Sequence, residues 1–206
     1  IFLMQTQLAS SQKVSCTMTY KFDYLVYIGR FQPFHLAHMQ TIKIALENSQ
    51  NVILALGSAQ NERNIKNPFL AAERQQMILS NFSEEHQQRI HFVNVIDVYN
   101  DEKWQKLVKT LVADVVQTDD KVGLIGHFKD DSSYYLKFFP EWEMLELASL
   151  VGSISATPLR EAYYRGEIIE KDLPLGTSEF LKHFQSLDIY KQLQDKFENN
   201  DKSNLI

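Results

Sequence analysis

Four short apolar runs, with helical patterns set between them, constrain this chain more than any other feature. Tyr24-Leu25-Val26-Tyr27-Ile28 closes on Gly29, Asn51-Val52-Ile53-Leu54-Ala55-Leu56 closes on Gly57-Ser58, a third run covers 90–96, and Val122-Gly123-Leu124-Ile125 closes on Gly126. Between them, 38–47 carries Met39, Ile42, Ala45 and Leu46 at helical spacing, and 71–81 and 102–116 also read as helices. A run that is apolar at successive positions has no face to offer water, so it predicts a strand buried on both sides. Strand–helix alternation with such strands predicts an α/β fold: an open, doubly wound parallel sheet with helices on each face. Sheets of this kind bind ligands beyond the carboxyl ends of their strands. The informative loops are therefore 29–38, 57–68, 97–104 and 126–133.

The rest of the chain adds boundaries and exclusions. Its 206 residues suffice for one domain with a real core. A net charge of -5 leaves no basic surplus, so a nucleic-acid partner is not expected. The single cysteine, Cys16, excludes an intrachain disulfide framework and a Cys-rich zinc site, and fits a reducing compartment. No apolar run approaches the roughly 18 residues that span a bilayer, so no membrane partner and a cytoplasmic location are expected. Residues 1–20 read as a flexible polar leader or an expression remnant: Ile1-Phe2-Leu3-Met4 is too short for a signal segment, and Gln5 and Gln7 break it. The principal domain is assigned to 21–176. Residues 177–206 form a helical extension, with Phe180, Leu181, Phe184, Ile189, Leu193 and Phe197 on its apolar side and a polar tail that frays from Asn199.

The first chemical signal is Gly29-Arg30-Phe31-Gln32-Pro33-Phe34-His35-Leu36-Ala37-His38, where a strand hands over to a helix. Gly29 is read as letting a ligand approach the backbone. Arg30 offers a permanent cation with a planar donor fork suited to phosphate. His35 and His38 lie three residues apart, on one face of the helix start, where free N–H groups attract anions. The functional reading is two imidazole donors on phosphate oxygens. The competing readings are a metal pair or two structural histidines, but two His make an incomplete zinc site and no third ligand stands nearby.

The second signal is Ile154-Ser155-Ala156-Thr157-Pro158-Leu159-Arg160. Ser155 or Thr157 can cap a helix whose first turn holds Pro158. Arg160 then joins two hydroxyls and exposed amides in another phosphate cradle. Taken alone, the segment fits a plain N-cap with a surface Arg better.

Together, the two segments resemble the HxGH nucleotidylyltransferase superfamily, and 29–38 looks like the corresponding stretch of NadM-type nicotinamide mononucleotide (NMN) adenylyltransferases. Gly57-Ser58-Ala59-Gln60, Asn67-Pro68-Phe69 and Glu73-Arg74 resemble that family's second-strand loop. Gly126-His127-Phe128-Lys129-Asp130-Asp131-Ser132-Ser133-Tyr134-Tyr135-Leu136 with Phe139-Pro140-Glu141-Trp142 looks like the transferase domain of its bifunctional branch, in which a Nudix hydrolase domain follows. The resemblance covers about residues 24–197. Two departures stand out: Ala37 replaces the usual Gly between the histidines, and no Nudix-like sequence follows, as in an excised domain or a single-function relative.

The resemblance implies a Rossmann-like sheet and transfer of the adenylyl group of ATP to NMN, giving NAD and pyrophosphate. His35, His38 and Arg160 become the catalytic group. Gly29, Arg30, Phe31, Gly126, Ile154, Ser155 and Thr157 join them in binding ATP. Trp104 offers an indole face to the cationic nicotinamide ring, or else packs its helix on the sheet. Asn67 and Arg74 are further NMN-binding candidates, with Arg74 alternatively a surface helix residue. Lys129 and Asp130 lie in a phosphate-accessible loop, although solvated loop charges are the commoner explanation for such residues. Tyr134 and Tyr135 are read as packing, and His86, His91, His127 and His183 receive no role. Mg²⁺ is the implied cofactor, held by nucleotide phosphates rather than by protein ligands. ATP and NMN are the partners, and a homo-oligomer stays open. Another acceptor such as nicotinate mononucleotide, or a nucleotide sensor without turnover, remain the alternatives.

Overall fold

The structure is a computed structural model describing residues 19–60, 62–127, 131–147 and 154–203. Lys129, Asp130 and the first 18 residues of the leader lie outside the described residues.

The chain runs β1 (Phe22–Gly29), α1 (Leu36–Asn48), β2 (Ser49–Leu56), α2 (Ala71–Leu79), the short α3 (Glu84–Gln87), β3 (Ile90–Asn94), α4 (Asp101–Ala113), β4 (Val122–Gly126) and β5 (Glu143–Glu146). Three helices follow: α5 (Ala156–Tyr164), α6 (Leu175–Gln185) and α7 (Asp188–Ser203). Two 3₁₀ segments, Asp131–Phe138 and Glu170–Asp172, link β4 to β5 and α5 to α6. The sheet order is β3-β2-β1-β4-β5, parallel throughout. The first three strands build outward in one direction and the last two in the other. The order therefore reverses between β1 and β4, and the β1–α1 loop emerges at that switch point.

Successive strand residues divide between two cores. Leu25, Val52, Leu54 and Leu56 join α1, α2, α5, α6 and α7 on one face, through residues such as Ile42, Met77, Tyr163, Leu181 and Leu193. Val26, Ile28, Ile53 and Ala55 join Val108 and Val112 of α4, with Leu136 and Phe139, on the other. Burial on both faces is what the uninterrupted apolar runs require. The C-terminal helices share a core with the sheet, and Tyr163 links them to α5: its hydroxyl donates to Leu181 O at 2.9 Å, and its carbonyl accepts from the Tyr190 hydroxyl at 2.6 Å.

Local signals place the helices around the sheet. Asn100 caps α4 by accepting from the Lys103 N–H at 2.9 Å, with Asp101 and Glu102 in the first turn complementing the helix dipole. Glu73 reaches back to the Leu70 N–H at 2.8 Å at the start of α2, and Arg63 grips the same carboxylate with two bonds of 2.5 and 2.6 Å. α7 continues through Ser203, past the point where the polar tail is expected to fray.

The sequence pattern did not reveal β5. Its four residues, Glu-Met-Leu-Glu, are exposed at both ends, and it lies at the edge of the sheet, paired only with β4. An edge strand this short has no apolar run to announce it.

Candidate active site

The β1–α1 loop lies at the carboxyl end of the central strand. His35 occupies the N-cap position of α1 and is 2% exposed. One turn later, His38 stacks on it with ring centroids 3.6 Å apart and planes 19° from parallel. An aromatic wall sets this orientation: Phe31 meets His38 edge-on at 4.8 Å, and Phe34 stacks behind it at 5.9 Å. Both imidazoles thus stand side by side at a helix N-terminus, a geometry suited to an oxyanion.

Phe31 and Gly29, both expected to border ATP, pack against each other. The Phe31 side chain is 1% exposed and belongs to the core. A Cβ on Gly29 would come within 2.8 Å of Phe31 Cζ, so the glycine makes room for that ring. Arg30, between them, is exposed at the sheet end.

The segment 154–160 reaches this loop through its arginine. Ser155 stands at the N-cap of α5 without a side-chain capping bond, and Thr157 follows in the first turn. Arg160 is 9% exposed, not a surface residue, and its Nη1 donates to Gln32 O at 2.8 Å. Its Nη2 points to the Thr157 hydroxyl at 3.4 Å. Gln32 is fixed in turn by a reciprocal pair with Phe69, donating from Nε2 at 2.8 Å and accepting at Oε1 at 3.1 Å. The N-termini of α1 and α5 are therefore tied around one loop. Burial lowers the Arg160 pKa, and the nearby Tyr164 opposes that shift. Ile154 is half-buried against the core of the α1 face.

Arg74 lies inside the protein, 1% exposed, rather than on the surface of its helix. Its Nη1 donates to Arg30 O and to Gly57 O, both at 2.8 Å. Burial, followed by the charge of Arg30, pushes its pKa down to about 10. Asn67 closes a turn in which its N–H donates to Asn64 O at 3.1 Å. The Asn67 Oδ1 is buried with no donor among the described residues.

Beyond the carboxyl end of β3 lies a cavity of about 250 Å³ lined by Asp97, Val98, Tyr99, Asn100, Asp101, Trp104, Tyr134, Tyr135 and Phe138. Trp104 is half-buried in its wall, meeting Tyr135 at 5.8 Å and Phe139 at 6.1 Å. Trp104 thus packs against its aromatic neighbours and also lines the cavity. Tyr134 and Tyr135, read as packing, also line the cavity, and the Tyr134 hydroxyl donates to Asp101 Oδ1 at 3.2 Å. Gly126 ends β4 beneath Leu136, whose nearest carbon is 3.4 Å from where a Cβ would stand.

Among the described residues, no group of three or more His, Cys, Asp or Glu side chains converges to hold a metal ion. Nor is any described helix long and apolar enough to cross a membrane.

Comparison with known proteins agrees with this geometry. The family model for cytidylyltransferase-like proteins matches residues 26–162. The nicotinamide/nicotinic acid mononucleotide adenylyltransferase of Acinetobacter baylyi is 69% identical over 187 residues, covering 91% of this chain and 100% of that protein. The nicotinamide-nucleotide adenylyltransferase of Thermoplasma volcanium is 31% identical over 81% of this chain and 89% of its own length. The crystal structure of a bifunctional NMN adenylyltransferase/ADP ribose pyrophosphatase from Francisella tularensis superposes with a TM-score of 0.77 at 35% identity, over 87% of this chain and 54% of that one. This chain therefore spans about half of the Francisella protein, which has also been solved in complex with AMP and a Mn ion.

Proposed function

From the premise that the chain belongs to the cytidylyltransferase-like family, with nicotinamide-nucleotide adenylyltransferases as its relatives, we propose that it transfers the adenylyl group of ATP to NMN, forming NAD and pyrophosphate. The observation that carries this reading is the stacked pair His35 and His38, 3.6 Å apart at the N-terminus of α1. Two adjacent imidazoles at a helix N-terminus suit a polyphosphate whose charge shifts during reaction.

The NMN phosphate oxygen attacks the α-phosphorus of ATP. A new P–O bond forms as the bond to the β-phosphate oxygen breaks, and pyrophosphate leaves with the electron pair. A phosphate oxygen is already nucleophilic near neutral pH, so positioning and charge stabilisation carry the step. His35 and His38 donate to triphosphate oxygens and stabilise the charge growing on them. Arg30 and the α5 start, with Arg160, Ser155 and Thr157, clamp the phosphates. Gly126 and Ile154 border the nucleotide, while Gly29 and Phe31 hold the His38 ring in register. Asn67, with its buried acceptor oxygen, is suited to receive an N–H of a bound nucleotide.

The donor set here is cationic or neutral, which fits a metal that arrives bound to nucleotide rather than one caged by protein. Mg²⁺ carried in that form would supply charge neutralisation at the phosphates. Arg30, His35, His38 and Arg160 hold the phosphate oxygens.

The aromatic cavity takes the nicotinamide ring against Trp104, where an indole face attracts a pyridinium cation. The Acinetobacter relative is named for both nicotinamide and nicotinic acid mononucleotides, so both acceptors belong in the assay. Replacing Trp104 with Ala is expected to raise the KM for NMN on the order of tenfold while that for ATP stays within about twofold. Steady-state kinetics varying each substrate measures the split, and an unchanged KM for NMN removes the ring from this cavity.

A further inference from the structure

We infer that Arg74 is a positioning residue for this reaction, fixing the two loops that carry the nucleotide site without touching substrate. The inference rests on the adenylyl-transfer reading above.

Two non-glycine residues, Phe31 and Ser58, adopt a left-handed φ of +52°. Each is the second residue past a strand end, after β1 and after β2. Such a conformation is costly for a residue with a side chain and persists only where its surroundings hold it. Arg74 Nη1 donates to the carbonyl of the residue preceding each of them: Arg30 before Phe31, and Gly57 before Ser58. One buried guanidinium therefore pins both turns. They are also joined directly, since the Gly57 N–H donates to Gly29 O at 2.9 Å.

Each turn carries a functional direction. On the β1 side, Phe31 meets the His38 ring, and Arg30 projects its charge from the sheet end. On the β2 side, the Ser58 hydroxyl donates to Asp97 Oδ1 at 3.1 Å, and Asp97 lines the aromatic cavity. Arg74 thus sits beneath the junction between the phosphate site and the acceptor cavity, where the attacking and receiving groups must meet. Its charge also lies close enough to Arg30 to oppose it, and a bound polyphosphate would relieve that repulsion.

A residue that only supports the fold would lower stability and leave the turnover of folded molecules intact. A positioning residue that acts through Arg30 makes a different prediction. At a temperature well below its melting point, folded Arg74→Met should lose on the order of 10- to 100-fold in kcat, because a displacement of about 1 Å at a reacting centre costs that much. The KM for ATP should move by less, and Arg74→Lys should recover part of the loss. In an Arg30→Ala background the same Arg74→Met change should cost less than about threefold, because residues acting through one another are not additive. The double-mutant cycle is repeated for ATP binding by calorimetry, so the coupling is read without turnover. Folded Arg74→Met with kcat within about twofold of the wild type, or losses that multiply across the cycle, overturn the inference. Failure of the wild-type protein to form NAD sinks the adenylyl-transfer reading instead, and the binding cycle still decides the coupling of Arg74 to Arg30.

Discussion

Arg160 donates its Nη1 hydrogen to the carbonyl oxygen of Gln32 at 2.8 Å, across 128 residues of chain. Gln32 exchanges two hydrogen bonds with Phe69, so a single glutamine links the β1–α1 loop to the start of α5 and to the β2–α2 loop. This junction brings the segments 29–38 and 154–160 together.

Arg160→Lys keeps the charge and loses the fork. The short ammonium cannot both hold Gln32 O and present a second donor beside Thr157. Loss of a charged hydrogen bond to a buried carbonyl should lower stability by about 1–3 kcal/mol, and misplacement of the clamp should reduce kcat/KM for ATP on the order of 100-fold. Thermal melting and ATP-varied kinetics measure the two effects. Wild-type kinetics in the lysine variant would mean that Arg160 merely braces the loop.

Gly29→Ala tests the aromatic wall. The new methyl would lie 2.8 Å from Phe31 Cζ, closer than real contacts allow, so the Phe31 ring must move. That ring meets His38 at 4.8 Å. Overpacking should cost about 1–3 kcal/mol, and kcat should fall with it as His38 loses its edge contact. The companion Gly29→Ala/Phe31→Leu variant, which frees space, should recover more stability than activity. Equal recovery of both would show that the wall does not orient His38.

Much of this architecture is legible in the residues, for reasons that can be named. β1, β2 and β4 were readable because they are apolar at successive positions, β3 because Ile90, Phe92 and Val93 outnumber His91 and Asn94, and α4 because Trp104, Leu107, Val108, Leu111 and Val112 recur at helical spacing. β5 was not, since its exposed glutamates leave only Met144 and Leu145 half-buried. The places of His35 and His38 at the start of α1, and of Arg160 in α5, were readable from their spacing after a strand and after Ser155. The burial of Arg74 was not: a charged residue in a helix suggests solvent, and the carbonyls that bury it lie 17 and 44 residues away. The packing contact of Gly29 was not readable either, because the group filling its space is Phe31, two residues further on, at a positive φ.

Ala37 stands where relatives of the resembled type carry glycine. It lies in the first turn of α1, and its carbonyl accepts from the Thr41 hydroxyl at 3.0 Å. Helical φ suits alanine, so Ala37→Gly should lower stability by about 0.5–1 kcal/mol through added chain entropy. NAD formation should stay within about twofold, as read by comparing melting temperature with turnover. A large gain in turnover would show instead that the methyl obstructs the phosphates.

The most direct measurement is dinucleotide and pyrophosphate formation from ATP, Mg²⁺ and NMN, with nicotinate mononucleotide in parallel and His38→Ala as control. The account predicts NAD and pyrophosphate in equal amounts from the wild-type protein, and a rate at least on the order of 100-fold lower from a folded His38→Ala variant. Tight ATP binding without pyrophosphate from either acceptor, or full turnover in His38→Ala, would contradict it.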